Sequence, residues 1–414
     1  MQVHSTPRCA VDGAPPAAPA ARAEAVHEGD DREQEQALLA ALRIVVTGEP
    51  DPGPLAGWDA LVAATPETDV AQLSGWAGLR RLAGYEPLYV LAVSGDEVLG
   101  GAVVLRRKVA GMLRVGYVSY GPVVAHRLTS IRQTVLSQLL DALAGVARRH
   151  TALFVQPPAH ADDVAVELMR RGFRFSQGGI AGIAPAATMR VDLTQDEQAL
   201  RGNLSRRLRT WTRQWPQRGV KVRVGDERDI PLLTGLAAST AEYQGFTPFP
   251  LSYQESLYAA LKPGGHVVLL IGEVSGAPVA AELMTGCGGV LKSRITGLDR
   301  TSTEAAKLNV ASAMIWEAIS WGKAHGFHYF DFGGLHAESV RALTTAENPG
   351  DVDQEQLDGP DRFKVKFGGQ VFEYPPAVEL IGSRVVRFGY DVLGRGSAGR
   401  KVLIWLRELL RGGR

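Results

Sequence analysis

Pro87-Leu-Tyr-Val-Leu-Ala-Val-Ser94, turned by Gly95-Asp96 into Val98-Leu-Gly-Gly-Ala-Val-Val-Leu-Arg-Arg107, reads as a β-hairpin, and about 180 residues later the chain repeats it. The repeat runs over 266–274, turns at Ser275-Gly276 and returns over 278–285. Apolar, β-branched runs make the strands, and the glycine in each turn supplies the backbone freedom that short hairpins need. Both copies continue alike. A third strand (113–120; 290–297) is followed by a helix (129–150; 302–325) and then an apolar strand (152–156; 327–332). Leu308, Ala311, Ile315, Ala318 and Ile319 share one face of the second helix at helical spacing.

Three antiparallel strands, a helix, and a strand returning beside them is the element order of a GNAT-type acyltransferase domain, a fold name attached by analogy. The expected class is α/β (α+β): two tandem GNAT-like domains, with mixed sheets flanked by helices. Residues 1–36, rich in Ala, Pro, Glu and Asp, are expected to be a disordered leader. The first domain is then 37–188, the second 189–378, and 379–414 a basic tail packing on the first domain. That tail ends in Val402-Leu-Ile-Trp-Leu-Arg-Glu-Leu-Leu410. Such a basic amphipathic helix suits either the flank of a sheet, the reading favoured here, or an anionic membrane surface.

Composition narrows the class. Of 414 residues, 45% are hydrophobic and 21% charged, and the net charge of +1 gives no overall pull toward nucleic acid or membrane, so any such attraction is local. Cys9 and Cys287 build neither a disulfide framework nor a cysteine metal site. The nine histidines show no metal-ligand spacing, and no metal is expected. With no apolar run of about 18 residues and no signal-peptide pattern, the expected location is the cytoplasm.

Two basic features stand out. Leu204, Leu208, Trp211 and Trp215 form an apolar stripe on a helix expected to start near Thr194, with Glu197 three residues on as a capping box. Arg206, Arg207, Arg209, Arg213 and Arg218 occupy the rest of that helix. They are either a solvated basic face or a phosphate-contacting ridge. Nearer the C-terminus, a chain with 36 Arg places two of its nine Lys, Lys364 and Lys366, in alternation with Phe363, Val365 and Phe367. As a strand, that segment carries both ammonium groups on one face. It suits a polyanion or an oxygen that becomes negative, and equally an ordinary edge strand with solvated lysines. Between Asp331 and this segment, the polar stretch 335–359 reads as a long flexible loop.

Five local patterns, in order, resemble the FemABX family of aminoacyl-tRNA-dependent transferases: Gln72-Leu-Ser-Gly-Trp76 with Arg80, Tyr120-Gly-Pro-Val123, Met189-Arg-Val-Asp-Leu193 leading into the Arg-rich helix and Gly219-Val220, Phe330-Asp-Phe-Gly-Gly334, and Arg362-Phe-Lys-Val-Lys-Phe-Gly-Gly369. The resemblance runs from about Gln72 to Tyr374. It implies transfer of an amino acid from aminoacyl-tRNA to an amine, on a peptidoglycan precursor or a small-molecule amine, with the charged tRNA as co-substrate and no other cofactor. Neither copy carries the glycine-rich pyrophosphate loop of acetyl-CoA enzymes at the strand-to-helix junction, 297–304 or 120–126.

The resemblance implies that Lys364 steadies the carbonyl oxygen of the transition state and that Lys366 contacts the tRNA end, with Arg206, Arg207, Arg209 and Arg213 along the tRNA. It places Trp76, Arg80, Tyr120, Tyr243, Tyr253 and Asp331 near the substrate. For Trp76 a core position and for Asp331 a structural one remain open. Peripheral membrane contact through the tail and a monomeric state complete the expectation. Two alternatives stand beside it: an acyl-CoA-dependent N-acyltransferase on the same fold, and a non-catalytic RNA- or envelope-binding protein.

Overall fold

The computed structural model describes residues 28–109, 113–149, 152–176, 185–346, 352–396, 399 and 401. The first sheet contains β1 (Leu42–Thr47), β2 (Glu86–Ser94), β3 (Glu97–Val109), β4 (Leu113–Ser119), β5 (Val123–Val124), β6 (Ala152–Gln156) and β7 (Arg174–Phe175). The second contains β8 (Ala187–Asp192), β9 (Val220–Val224), β10 (Val267–Val274), β11 (Ala277–Cys287), β12 (Val290–Leu298), β13 (Tyr329–Gly334) and β14 (Gln370–Glu373). The chain then returns, and β15 (Val378–Ile381) pairs with β6 and β7 of the first sheet.

The registers of the two hairpins match residue for residue. Each shifts by one residue at the same step, between Ala92 and Val93 in the first and between Gly272 and Glu273 in the second. Counting outward from that bulge, Ala92 faces Gly100 and Val90 faces Ala102, while Gly272 faces Ala280 and Leu270 faces Glu282. Each hairpin then adds an antiparallel third strand, a helix (Arg132–Arg149; Val310–Ala324) and a parallel strand. Mixed sheets with helices on their faces agree with the expected class.

The two halves share a core. Tyr89, Leu91 and Val103 of the first sheet and Leu269, Ile271 and Leu283 of the second belong to one apolar cluster, with Trp58, Leu79, Leu233 and Tyr258 from intervening helices. Each sheet covers its opposite face with its own long helix. Burying that much apolar surface between the halves makes them a single packing unit.

Several expectations need correcting. The helix Glu28–Ala40 lies largely within the expected leader, because Glu35 is buried against the start of the helix Arg132–Arg149. The expected helix over 302–325 is two, Thr303–Leu308 and Val310–Ala324, since Asn309 adopts a left-handed conformation (φ 54°). The Arg-rich helix also divides, into Glu197–Asn203 and Arg206–Gln214, and its cap is Asp196 rather than Thr194. Its apolar stripe does pack inward: Leu204, Leu208 and Trp215 are buried. Part of the expected loop is the helix Ala337–Thr345, held by buried Ser339 and Leu343. In the tail, the helix Arg384–Arg395 packs beside β15, with Arg387 and Tyr390 bonded to buried Glu379. The terminal apolar stretch 402–410 lies outside the described residues.

Candidate functional site

β12 and β13 run parallel for only three pairs, Val290–Lys292 against Tyr329–Asp331, and then part. Asp331 forces the parting. Its carboxylate accepts the Gly333 N–H (2.7 Å), the Thr188 hydroxyl and the Arg190 Nε–H (3.3 Å), curling β13 into a bulge toward β8. Gly333 sits at φ 83°, a conformation glycine adopts at little cost. β12 meanwhile stays on β11 as far as Leu298. The wedge between them opens into a cleft of about 1150 Å³.

Lys364 lies on one wall of this cleft. The expected lysine strand is a helix, Gly359–Lys364, running into a 3-10 turn, Val365–Phe367. Asp358-Gly-Pro360 starts it as an N-terminus with proline in the first turn, and Gly368 (φ 75°) ends it. The lysines therefore do not share a strand face. Lys364 Nζ donates to the Gly334 carbonyl and to Asp361 (3.0 Å), and its side chain is 13% exposed. Asp361, fully buried, also accepts the His336 N–H and contacts its Nδ1, each at 3.0 Å. Burial pushes the Asp361 carboxyl up, but the His336 amide and the Lys364 ammonium hold it below the usual range. The result is a cation fixed at the cleft by a buried anion.

Glu282, on β11, lines the same cleft and was missed from sequence. Its Oε1 accepts the Ser293 hydroxyl, while its buried Oε2 has no hydrogen-bond partner among the described residues. Burial pushes this carboxyl up to about 7, against the pull of Ser293 and Thr296. The available clue was a lone carboxylate in an otherwise apolar strand, Val279-Ala-Ala-Glu-Leu-Met284.

Lys366 is not among the residues that line this cleft, but its carbonyl accepts the Ser205 N–H (2.8 Å), tying the turn to the start of the helix Arg206–Gln214. Arg206, Arg207, Arg209 and Arg213 are all exposed there. Arg209 and Arg213 line a surface depression with Arg201. The turn that carries Lys366 thus adjoins the start of the arginine helix.

The expected substrate residues divide. Tyr243 is exposed at the cleft, with the Arg300 guanidinium 4.7 Å from its ring. Trp76 and Tyr253 pack on the core between the halves, and Tyr253 stacks on Phe249. Arg80 is buried there, 4.8 Å from the Tyr85 ring and near Tyr117 and Tyr253. Tyr120 and Asp331 are buried in a charged junction that sequence reasoning did not assemble. Lys292 bridges Asp69 (3.2 Å) and Asp331 (3.9 Å), Arg294 pairs with Asp69 (2.8 Å), and Arg190 joins Asp331 to Glu67 and Tyr374. Tyr120 covers Lys292, its ring 5.0 Å from the ammonium. Asp69 and Glu67 come from the first half and the cations from the second, so the junction fixes one half on the other.

Residues 187–344 match the family model described as an acetyltransferase (GNAT) domain. The chain is 28% identical over 235 residues to the lipid II:glycine glycyltransferase of Staphylococcus saprophyticus, covering 54% of this chain and 56% of that protein. It is likewise 28% identical over 223 residues to the Staphylococcus aureus enzyme of the same name, covering 51% and 52%. The chain thus spans about half the length of these relatives. Among solved structures, a crystal structure of FemX superposes with a TM-score of 0.69 at 19% identity, over 85% of this chain and 100% of that one. L-PGS from Bacillus licheniformis gives 0.50 at 14%, over 84% and 98%. Both share the fold.

Proposed function

We propose that this chain, similar in sequence to lipid II:glycine glycyltransferases and in fold to FemX, moves an amino acid from aminoacyl-tRNA to an amine of a peptidoglycan precursor, forming an amide. The observation that carries this reading is the Lys364 ammonium, held by Asp361 and Gly334 on the wall of the β12–β13 cleft. An aminoacyl ester needs no further activation. As the amine adds to its carbonyl carbon, negative charge develops on the carbonyl oxygen, and a pre-placed cation at the cleft wall stabilises that charge. Lys366 and the arginines Arg206, Arg207, Arg209 and Arg213 supply phosphate contacts on the adjoining face, where the nucleic acid would run. Tyr243 and Arg300 stand where an acceptor would enter.

The acceptor is membrane-linked in this reading, and the tail supplies a contact. On the helix Arg384–Arg395, Val385 and Phe388 are 82% and 73% exposed beside Arg384. Apolar tips among arginines suit an anionic bilayer surface. Among the described residues no helix is long and apolar enough to cross a membrane.

The test is transfer from a panel of charged tRNAs to lipid II, followed by mass spectrometry. Product that disappears on RNase treatment supports the reading, whereas transfer from acyl-CoA alone points to an N-acyltransferase. Lys364→Met is expected to lower turnover of the folded protein by about 10²–10³, and to lower the unfolding temperature as well, because it leaves the buried Asp361 carboxylate without its ammonium partner. A variant that keeps most of its rate removes Lys364 from the chemistry.

A further inference from the structure

We infer that Glu282 is the proton acceptor of the cleft, the group that takes the proton from the attacking amine as the amide forms. The inference rests on the transfer reaction proposed above and supplies its missing base.

The placement is specific. Ser293, whose hydroxyl holds Glu282 Oε1, lies where β12 leaves β13. A Cβ added to Gly333 would come 3.8 Å from the Ser293 carbonyl, and the next residue, Gly334, holds the Lys364 ammonium. Glu282 and Lys364 therefore line the same cleft, linked to its two strands where Ser293 and Gly333 approach each other. A carbonyl whose oxygen meets Lys364 would receive its nucleophile from within the same gap. Oε2 is the open valence: it is buried, has no partner at hydrogen-bond geometry among the described residues, and belongs to a residue on the cleft wall. Leaving a carboxyl oxygen in that condition is costly, and an incoming N–H would satisfy it.

Its protonation suits the task. Burial, opposed by Ser293 and Thr296, raises the carboxyl to about 7, where a base is half ionised and most effective near neutral pH. Ser293 and Thr296 face it from β12, with Met314 and Ile315 of the helix Val310–Ala324 also on the cleft wall. The charged and ionisable groups elsewhere along the cleft are Tyr243, Lys292, Arg294, Arg300, His336, Asp358 and Lys364. None of these is among the causes of the shift.

The step balances without a co-reactant. An ammonium acceptor first loses one proton to solvent. The neutral nitrogen then bonds to the ester carbonyl carbon while Glu282 takes its second proton. The ester C–O bond breaks, and that proton passes to the departing ribose oxygen.

The test compares full-length wild type with Glu282→Gln and Glu282→Asp, using glycyl-tRNA and lipid II. Wild-type kcat/KM is expected to show, as pH drops below about 7, an acid limb steeper than the ionisation of the acceptor amine itself requires. Glu282→Gln is expected to lose about 10²–10⁴ in rate together with that extra steepness, and Glu282→Asp to recover part of both. A purely structural role would lower thermal stability and leave the limb in place. Infrared spectra at pH 6 give a readout independent of turnover: adding glycinamide should remove a protonated-carboxyl band in wild type and none in Glu282→Gln. If wild type shows no transfer but the band still responds, the tRNA reaction falls and the amine-receiving role of Glu282 stands. A Glu282→Gln variant with full rate or an unchanged limb, or a wild-type band indifferent to glycinamide, overturns the inference.

Discussion

The two halves follow the same element order, and only the second opens. In the first, β4 and β6 stay paired for five residues, Val115–Ser119 with Ala152–Gln156, where β12 and β13 part after three. The short strand β5 lies across Gly100 and Gly101 of β3, the stretch equivalent to the part of β11 on which β12 continues. Gln72 fills the remaining gap. Its Nε2 donates to the Ser119 carbonyl (2.6 Å) and its Oε1 accepts the Val103 N–H (2.8 Å). Register from the shared bulge sets Ala102, fully buried among aliphatic side chains, at the position of Glu282. The duplication thus left one half as a closed scaffold and gave the other a cleft with a cation and a carboxyl. Chemistry follows from where a sheet splits, more than from the fold the halves share.

The most severe way to break that contrast is to make the first half resemble the second at its key position. Ala102→Glu puts a carboxyl into packed aliphatic surroundings with no wedge to receive it. The expected loss is about 3 kcal/mol or more, from overpacking plus an unsatisfied polar group, measured by urea unfolding. A loss under about 1 kcal/mol would mean that the closed half also has room for a carboxyl, and the asymmetry drawn here would fail.

Removing the plug is milder. Gln72→Ala leaves the Ser119 carbonyl and the Val103 N–H without partners, for a loss of about 2 kcal/mol. Faster amide exchange at Val103 would locate the damage between β3 and β4. Unchanged protection there would show that pairing alone, without Gln72, keeps the first half shut.

How much of this was legible is best seen residue by residue. The hairpins were, because β-branched runs and turn glycines act locally, and so was the repeat that made two domains. The bulges were not, since a one-residue slip leaves no mark in composition. The segment 359–367 misled because five alternating residues satisfy a strand, and Pro360 and Gly368 mattered more than the alternation. Asn309 broke a helix through its backbone conformation, which side-chain periodicity does not report. Lys364 was found through family resemblance. Asp361 and His336, which hold it, lay in or beside stretches read as loop and strand. Glu282 was visible as an isolated charge, but its unpaired oxygen exists only once β11 and β12 are placed side by side.

The smallest expected effect concerns the helix that follows the third strand in each half. In the second half, the helix Val310–Ala324 starts at Asn309 with no side-chain cap, and Ala311 and Met314 lie on the cleft. In the first, Glu35 from the N-terminal helix accepts the N–H groups of Thr129 (2.8 Å), Ser130 (2.7 Å) and Ile131 (3.2 Å), covering the start of Arg132–Arg149. A carboxylate there takes orphan donors and meets the positive end of the helix dipole. Burial pushes the Glu35 carboxyl up, but the Ser130 hydroxyl and these amides bring it down to about 2. A folded value below the unfolded one adds stability that is complete above about 4.5 and is lost as pH falls toward 2. Glu35→Gln, which removes the charge and one acceptor, should therefore cost about 1 kcal/mol at pH 7. The difference from wild type should shrink below about 4.5 and vanish near 2, as followed by thermal melts across pH. A cost that stays constant down to pH 2 would mean that Glu35 acts by packing alone, and that the first half needs no anion to seal the helix end its counterpart leaves uncapped.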